Sequence, residues 1–432
     1  MRRALLIFVC AAAAAGQPDA VAIMSRVLER VQESTHGLPR YACIETVTRD
    51  FYTPVATVMR ACDAVLAGRE NPTPDLELRR SSTDRLRLEV TMAPHGELHS
   101  WAGDREFGDG NIDAIVREGP LGSGMFSGFL AAVFEQDATA YRLLQLMPTL
   151  GGRSLARFAF DVPVAKSHYK VKVGTDWMAT AYTGEFEADA VAGELSWLQV
   201  KTAVMPSAAG TCQTTTRMNL GRTAIGAGKF LVTTGARQVF EMTDGTRVVN
   251  NIEFSSCREY LGESNIRFET DAALRTETAA PKKNPPAEIP PGLKFSIELR
   301  HALDTATSAA GDRFTARLAT PIRYGFGYTV APKGAPVEGR LLRVQSYYGN
   351  PKESIFVLRI ESVEVRGVKM PLTAVGDVNF ASAQQRGVTG KKKGATIYLP
   401  YRSETHAALL RFPCEHATVP RGYVTHWITQ LR

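Results

Sequence analysis

The chain has 432 residues, 44% apolar, 22% charged and 8% aromatic, with a net charge of +7. That composition excludes disordered, collagen-like and coiled-coil classes and sets two domains as the expectation. The charge is uneven: residues 293–432 hold 20 Lys/Arg against 10 Asp/Glu, a net +10, and with Arg2 and Arg3 set aside the segment 17–292 carries −5.

Residues 1–16, MRRALLIFVCAAAAAG, join a charged start to an apolar core from Ala4 to Ala15 followed by small residues. This is the plan of a signal peptide, too short for the roughly 20 apolar residues a bilayer span needs. Cleavage is expected after Ala15 or Gly16. Phe8 and Val9, bulky where small residues would precede a lipidated cysteine, argue against lipoprotein processing at Cys10. No second apolar span follows. The expectation is an exported protein, periplasmic or outer-membrane-associated, with no transmembrane segment after cleavage and no nucleic-acid partner. The basic half then fits either plain solubility or contact with an anionic envelope surface.

Val21, Met24, Leu28 and Val31 recur at helical spacing, so 18–35 is expected to be a helix ended by Gly37 and Pro39. Tyr41–Tyr52 reads as a strand, with Val55–Leu66 as its hairpin partner across Pro54. Asp84–Thr91 is the cleanest strand: Leu86, Leu88 and Val90 alternate with Arg85, Arg87 and Glu89. Glu97–Trp101 is expected beside it. The β pattern breaks at 111–137, where a short helix capped by Asn111, a Gly119–Gly124 turn and a second helix are expected. That second helix carries Met125, Phe126, Phe129, Leu130, Val133 and Phe134 on one broad face. Strands resume after Gly152, through Phe158–Val162, Tyr169–Val173, Ala179–Glu187, Glu194–Val204, Thr211–Leu220, Lys229–Glu241 and Thr246–Cys257, the last two joined at Asp244-Gly245, a hairpin signal. About ten antiparallel strands in one sheet tend to curl. The fold class is therefore mainly β (α+β): a curved antiparallel sheet or open β-barrel with an N-terminal helix and a helical insertion, over 17–271. A proline-rich stretch, 272–292, reads as a linker. Beyond it, 293–432 has short strands with frequent turn signals, as in a small β-barrel.

Five cysteines remain after cleavage: Cys43, Cys62, Cys212, Cys257 and Cys414. An oxidising compartment permits disulfides. The expected 41–66 hairpin pairs Cys43 with Cys62. Cys212 with Cys257 is the second candidate, although a simple meander puts those two at opposite ends of the sheet. Cys414 is left as the odd thiol.

No catalytic constellation is visible. Gly122-Ser123-Gly124 is not a nucleophile elbow, and the Gly119–Gly124 turn lacks the Lys-Ser/Thr of a phosphate loop. With no CxxC and no HExxH, neither a metal site nor a cofactor is expected. His95 with His99, and His406, His416 and His426 with Cys414, are the remaining ligand candidates, and their spacing fits a scattered distribution better than a site. Lys391, Lys392 and Lys393 form a basic loop in the basic half.

Leu38-Pro-Arg-Tyr-Ala-Cys-Ile-Glu-Thr-Val-Thr-Arg49, Asp84-Arg-Leu-Arg-Leu-Glu-Val90, Gly119-Pro-Leu-Gly-Ser-Gly124 and Cys257-Arg-Glu-Tyr-Leu-Gly-Glu-Ser264 resemble landmarks of a family of uncharacterised secreted acidobacterial proteins. Helix followed by curved sheet is similar to periplasmic lipoprotein carriers and outer-membrane lipoprotein-sorting proteins, whose open barrels shelter acyl chains. Gly311-Asp312-Arg313-Phe314 and Pro332-Lys-Gly-Ala-Pro-Val-Glu-Gly-Arg340 resemble small barrels of conjugation-channel scaffolds. The leading expectation is a non-enzymatic, exported cell-envelope protein whose curved sheet binds an apolar or lipidic ligand, with Met125, Phe126, Phe129, Leu130 and Phe134 of the apolar helix face lining its cavity; the same face packed against the sheet as core is the alternative. Two other readings stay open: an envelope assembly module acting through protein contacts, and a hydrolase of envelope polymers.

Overall fold

The structure, a computed structural model, describes residues 19–431 except 57–60, 72–73, 75–76, 94–95, 105–106, 108–111, 117, 138–140, 149–153, 261–288, 326–327, 378–395 and 399–405. The expected signal segment, Cys10, most of the 272–292 stretch, His95, Asn111 and Lys391, Lys392 and Lys393 lie outside the described residues.

The chain opens with α1 (Ala20–His36), capped by Asp19, whose Oδ1 accepts from the Val21 N–H at 3.1 Å. Its buried face is Ile23, Met24, Val27 and Val31. That is rotated from the expected stripe: Val21 is exposed and Leu28 half-buried. The rotation follows from where the helix docks. The Arg26 guanidinium donates to the Ala190 carbonyl, and Gly193 lies so close that a Cβ there would sit 2.5 Å from the Arg26 carbonyl oxygen.

Among the described residues of the N-terminal part, twelve strands follow: β1 (Tyr41–Pro54), β2 (Leu78–Ala93), β3 (Gly96–Trp101), β4 (Tyr141–Pro148), β5 (Ser154–Val162), β6 (Lys170–Val173), β7 (Asp176–Ala179), β8 (Tyr182–Asp189), β9 (Leu195–Thr202), β10 (Thr211–Ile225), β11 (Gly228–Met242) and β12 (Arg247–Glu259). Ten of them form one antiparallel run in the order β4-β5-β8-β9-β10-β11-β12-β1-β2-β3. β6 and β7 pair only with each other, as a hairpin between β5 and β8. Period-two burial drives the sheet: Tyr182, Gly184, Phe186 and Ala188 of β8 point inward and their neighbours do not. One hydrophobic core takes side chains from β5, β8, β9, β11 and β2 together with α1, so the sheet wraps around its helices.

Three sequence expectations are corrected here. Val55–Leu66 is not a strand: α2 (Cys62–Glu70) begins there, and β1 lies between β12 and β2. The disulfides are therefore Cys43–Cys257 and Cys62–Cys212, not Cys43–Cys62 and Cys212–Cys257. Cys43 sits at a bulge where Ser256 and Cys257 oppose one β1 residue, and Ser256 takes φ 49° to make it. α2 lies over β10 and β11, where Arg69 pairs with Glu241 at 2.7 Å and Cys62 meets Cys212. Cys414 is free, as expected. Third, the helical insertion is not one regular helix. Beyond α3 (Ile112–Ile115), Met125–Ser127 is a turn, α4 spans only Gly128–Ala131, and Ala132–Gln136 continues as a π-helix. β4 is a strand the sequence reading missed.

The C-terminal part holds β13 (Lys294–Leu299), β14 (Leu303–Asp304), β15 (Arg313–Leu318), β16 (Ile322–Tyr324), β17 (Tyr328–Ala331), β18 (Pro336–Tyr347), β19 (Glu353–Val365), β20 (Val368–Pro371), β21 (Ala374–Gly376), β22 (Thr396–Tyr398), β23 (Ala408–Phe412), β24 (Thr418–Val419) and β25 (Val424–Thr429). The order β21-β25-β13-β15-β18-β19-β23 runs antiparallel, and the Gly376 N–H bonds the Ala407 carbonyl at 3.2 Å to bring the two ends together. Phe356, Leu358, Leu410, Phe412 and Trp427 fill the centre.

The two cores are joined by backbone. Ser82–Asp84 of β2 pairs with Gln345–Tyr347 of β18, and Leu86 bridges Ala310. Gly311, at φ 99°, has no room for a Cβ, which would lie 2.2 Å from the Arg87 carbonyl oxygen. Arg87 pairs with Asp312, and the buried Arg340 bonds the Gly311 carbonyl, Asp104 and Glu361. The Gly-Asp and Gly-Arg segments noted in the sequence thus form the junction. Among the described residues no helix is long and apolar enough to cross a membrane.

Candidate functional site

A groove of about 720 Å³ opens on the inner side of the N-terminal sheet, within the size range of ligand pockets. Its floor is buried: Tyr182 of β8, Thr214 of β10, and Gln238 and Phe240 of β11. One wall is the Gly119–Gly124 loop with Gly128, Phe129, Ala131 and Ala132. The other is the β6–β7 hairpin, which brings Lys170, Lys172 and Trp177 to the mouth. Trp177 is 52% exposed and its neighbour Met178, 50%.

The loop wall is held from four sides. The Gly122 N–H donates to Gln238 Oε1 at 2.9 Å, and a Cβ at Gly122 would lie 2.4 Å from Gln238 Nε2. Asn250 Nδ2 donates to the Pro120 carbonyl at 3.0 Å. Arg49 Nη1 donates to the Glu118 carbonyl at 2.6 Å while its other nitrogens grip Asp84 at 2.8 and 2.6 Å, a buried bidentate pair. From the C-terminal part, Arg343 pairs with the Glu118 carboxylate. The loop's far end is fixed by Glu97 of β3, which accepts from the N–H groups of Gly124 at 2.7 Å and Phe126 at 2.8 Å.

Behind Glu97 lies a buried acid–base cluster. His99 Nε2 is 3.2 Å from Glu45 Oε2, and both side chains are almost fully enclosed. Burial, the largest influence, pushes the Glu97 carboxyl above the usual carboxylate range and outweighs His99 and the Gly124 and Ser127 N–H groups, which stabilise its charge. Burial alone would lower His99, but the hydrogen bond and charge of Glu45, with Glu97 beyond, raise it above an ordinary histidine.

The hairpin wall is tied down through Asp137. This buried carboxylate accepts from the His168 N–H at 3.0 Å and the Tyr182 hydroxyl at 2.8 Å, and pairs with the His168 ring. His168 and Tyr182 line the groove. Among the described residues no hydroxyl or thiol is bonded to His168.

Of the five residues expected to line a cavity, Phe129 lines this groove; Met125, Phe126, Leu130 and Phe134 do not. Met125, Leu130 and Phe134 join the main N-terminal core, where Phe134 meets Phe186 with ring centroids 5.1 Å apart. Phe126 goes to a separate cluster, stacked on Tyr41 at 4.6 Å. The break from turn to α4 to π-helix divides the expected single face, and the small residues Gly128, Ala131 and Ala132 meet the open space instead. Sequence reasoning missed Lys170, Lys172 and Trp177. Their signal was there: Lys and Val alternate before Gly174, and a Trp follows in a segment with no other large apolar run. The histidine candidates are not brought together: His99 belongs to the buried cluster, His426 Nδ1 lies 2.8 Å from Ser296 Oγ, and Cys414 Sγ bonds the His416 carbonyl. Among the described residues no group of three or more His, Cys, Asp or Glu could hold a metal.

No protein-family model matches the sequence, and none of the curated proteins does. Among solved structures the chain is similar to a LolA superfamily protein from Nitrosomonas europaea, at 9% identity and a TM-score of 0.25, covering 54% of this chain and 91% of that one. A likeness of that size carries no argument about function.

Proposed function

We propose that this is an exported envelope protein that binds an apolar or lipidic ligand in the groove between the Gly119–Gly124 loop and the β6–β7 hairpin. The groove itself carries the reading. Tyr182 and Phe240 on the floor and Phe129 on the loop wall give it apolar surface, Gly128, Ala131 and Ala132 leave it open, and Trp177 stands at its mouth. Each methylene buried there is worth about 0.8 kcal/mol. Two disulfides fit an oxidising compartment. Ala132→Trp fills the groove from a half-buried position and leaves the core face untouched. A fluorescent acyl probe should bind the wild-type protein and not this variant, with circular dichroism confirming that both are folded. Equal binding by both, or none by wild type, contradicts the reading.

A specific observation favours a second reading, an envelope assembly module. All six of Met125, Phe126, Phe129, Leu130, Val133 and Phe134 are buried in the protein's own core clusters. In the C-terminal part, Tyr324 and Tyr328 stand exposed on the β16–β17 hairpin. Failure of the probe to bind would move attention to that hairpin as a protein contact.

A further inference from the structure

The far end of the loop wall hangs on one carboxylate. Glu97 of β3 accepts from the Gly124 N–H at 2.7 Å through Oε2, and from the Phe126 and Ser127 N–H groups at 2.8 and 3.3 Å through Oε1. The Gly128 N–H lies 3.5 Å from Oε1. Gly124, Gly128 and Phe129 line the groove, so this side chain fixes an edge of the site. Two residues on, and on the same side of β3, His99 pairs with Glu45 of β1 at 3.2 Å, both of them buried. The charges that bear most on Glu97 are those of His99 and Glu45, and His99 feels Glu45 and Glu97. The remaining neighbours among the described residues offer little relief. β2 sets Met92 opposite Glu97 and Val90 opposite His99. Tyr41 of β1 brings a phenol whose proton is held on by burial and by Glu97. Glu89 stands on the other face of β2, paired with Arg258. A protonated His99 is thus the cation shared by two enclosed carboxylates. Once it is neutral, Glu45 and Glu97 keep like charges in a site closed to water, and opening that site relieves them.

Resting on the proposed apolar groove, we infer that Glu45, His99 and Glu97 form a proton-operated latch on its wall, holding the Gly124–Gly128 end and the ligand when protonated and letting both loosen when the proton leaves. Glu97 and His99 each hold a proton more tightly in the closed sheet than in an unfolded chain. Their support for the closed wall is therefore complete below the unfolded values, near 4.5 and 6.5, and is lost as pH rises through the raised ones. Retention is strongest on the acid side of the His99 titration, and release follows on the alkaline side.

The test uses a pyrene-labelled fatty alcohol, an acyl probe with no titrating head. Its affinity for wild type should fall about tenfold between about pH 5.5 and about pH 8.5, the size of an ordinary coupling between sites. Glu97→Gln keeps an acceptor for the loop N–H groups but cannot ionise, and His99→Gln removes the titrating ring. In both, affinity should change little with pH, with circular dichroism showing each variant folded across the range. At the alkaline end Glu97→Gln should hold the probe more tightly than wild type, a gain that damage to the wall would not produce. Should one variant fail to fold, the other decides. Equal wild-type affinity at the two ends of the range overturns the inference and leaves the apolar groove standing. A full-sized fall in both variants also overturns it and places the titration at His168, the histidine in the groove lining. If wild type binds the probe at neither pH, the groove reading fails and the latch with it.

Discussion

The N-terminal sheet and the C-terminal barrel solve the same problem differently. The barrel brings its strand ends together and fills its centre with Phe356, Phe412 and Trp427, and it contains no disulfide. The sheet wraps around short helices, leaves a groove between a glycine loop and the β6–β7 hairpin, and carries both disulfides. An open architecture loses apolar contacts where the groove lies, and covalent links and buried ion pairs make up for them. What the barrel gains by packing, the sheet gains by Cys43–Cys257, Cys62–Cys212 and Arg49–Asp84.

Removing those ties should separate the two regions. The largest effect is expected from Cys62→Ala with Cys212→Ala, which opens a loop of 150 residues and should cost about 4–5 kcal/mol on chain-entropy grounds. Hydrogen exchange should show faster opening of β10 and β11 with β13, β18 and β19 unchanged; equal loss in the barrel would mean the two cores unfold as one. Arg49→Ala should follow at about 3 kcal/mol, because it strands the buried Asp84 carboxylate. It also frees the Glu118 carbonyl, so acyl-probe binding should weaken along with stability. Stability lost with binding intact would show that the loop needs no help from Arg49.

A smaller effect sharpens the contrast by pH. Glu97 and His99 are both raised in the folded sheet, so the native state holds protons the unfolded chain releases. Their contribution is present below the unfolded values, near 4.5 and 6.5, and is lost as pH rises through the folded ones. In the barrel, burial works against the Glu361 carboxylate but Arg340 and Arg359 hold it below the ordinary range. Its contribution is present above 4.5 and lost on acidification. As pH rises above about 6.5, the local opening free energy read from exchange, corrected for its intrinsic base catalysis, should therefore fall in β1–β3 and stay level in β18–β19. His99→Gln should flatten the first slope. A slope unchanged in that variant would place the pH response elsewhere.

How much of this was legible follows the range of the interaction. Strands such as Asp84–Thr91 and Lys229–Glu241 were readable because alternation is written locally, and Asp244-Gly245 announced its turn. Partners were not. β1 lies beside β12, some 200 residues away, and nothing near Cys43 points to Cys257. The Gly311-Asp312 segment was conspicuous, but its role needs β2 alongside, where Gly311 meets the Arg87 carbonyl and Asp312 meets Arg87. The apolar run from Met125 to Phe134 was legible as one broad face expected to line a cavity, and of its five named lining residues only Phe129 meets the groove. Which side of it stayed open depended on a π-helix that apolar spacing does not encode.

The central claim is that the sheet keeps its groove for a ligand while the barrel keeps its centre for itself. Native mass spectrometry of the protein recovered from an exported expression, without detergent, tests it most directly. The account predicts an adduct of lipid mass on wild type, absent from Ala132→Trp. A bare polypeptide mass for wild type, or the same adduct on Ala132→Trp, would contradict it.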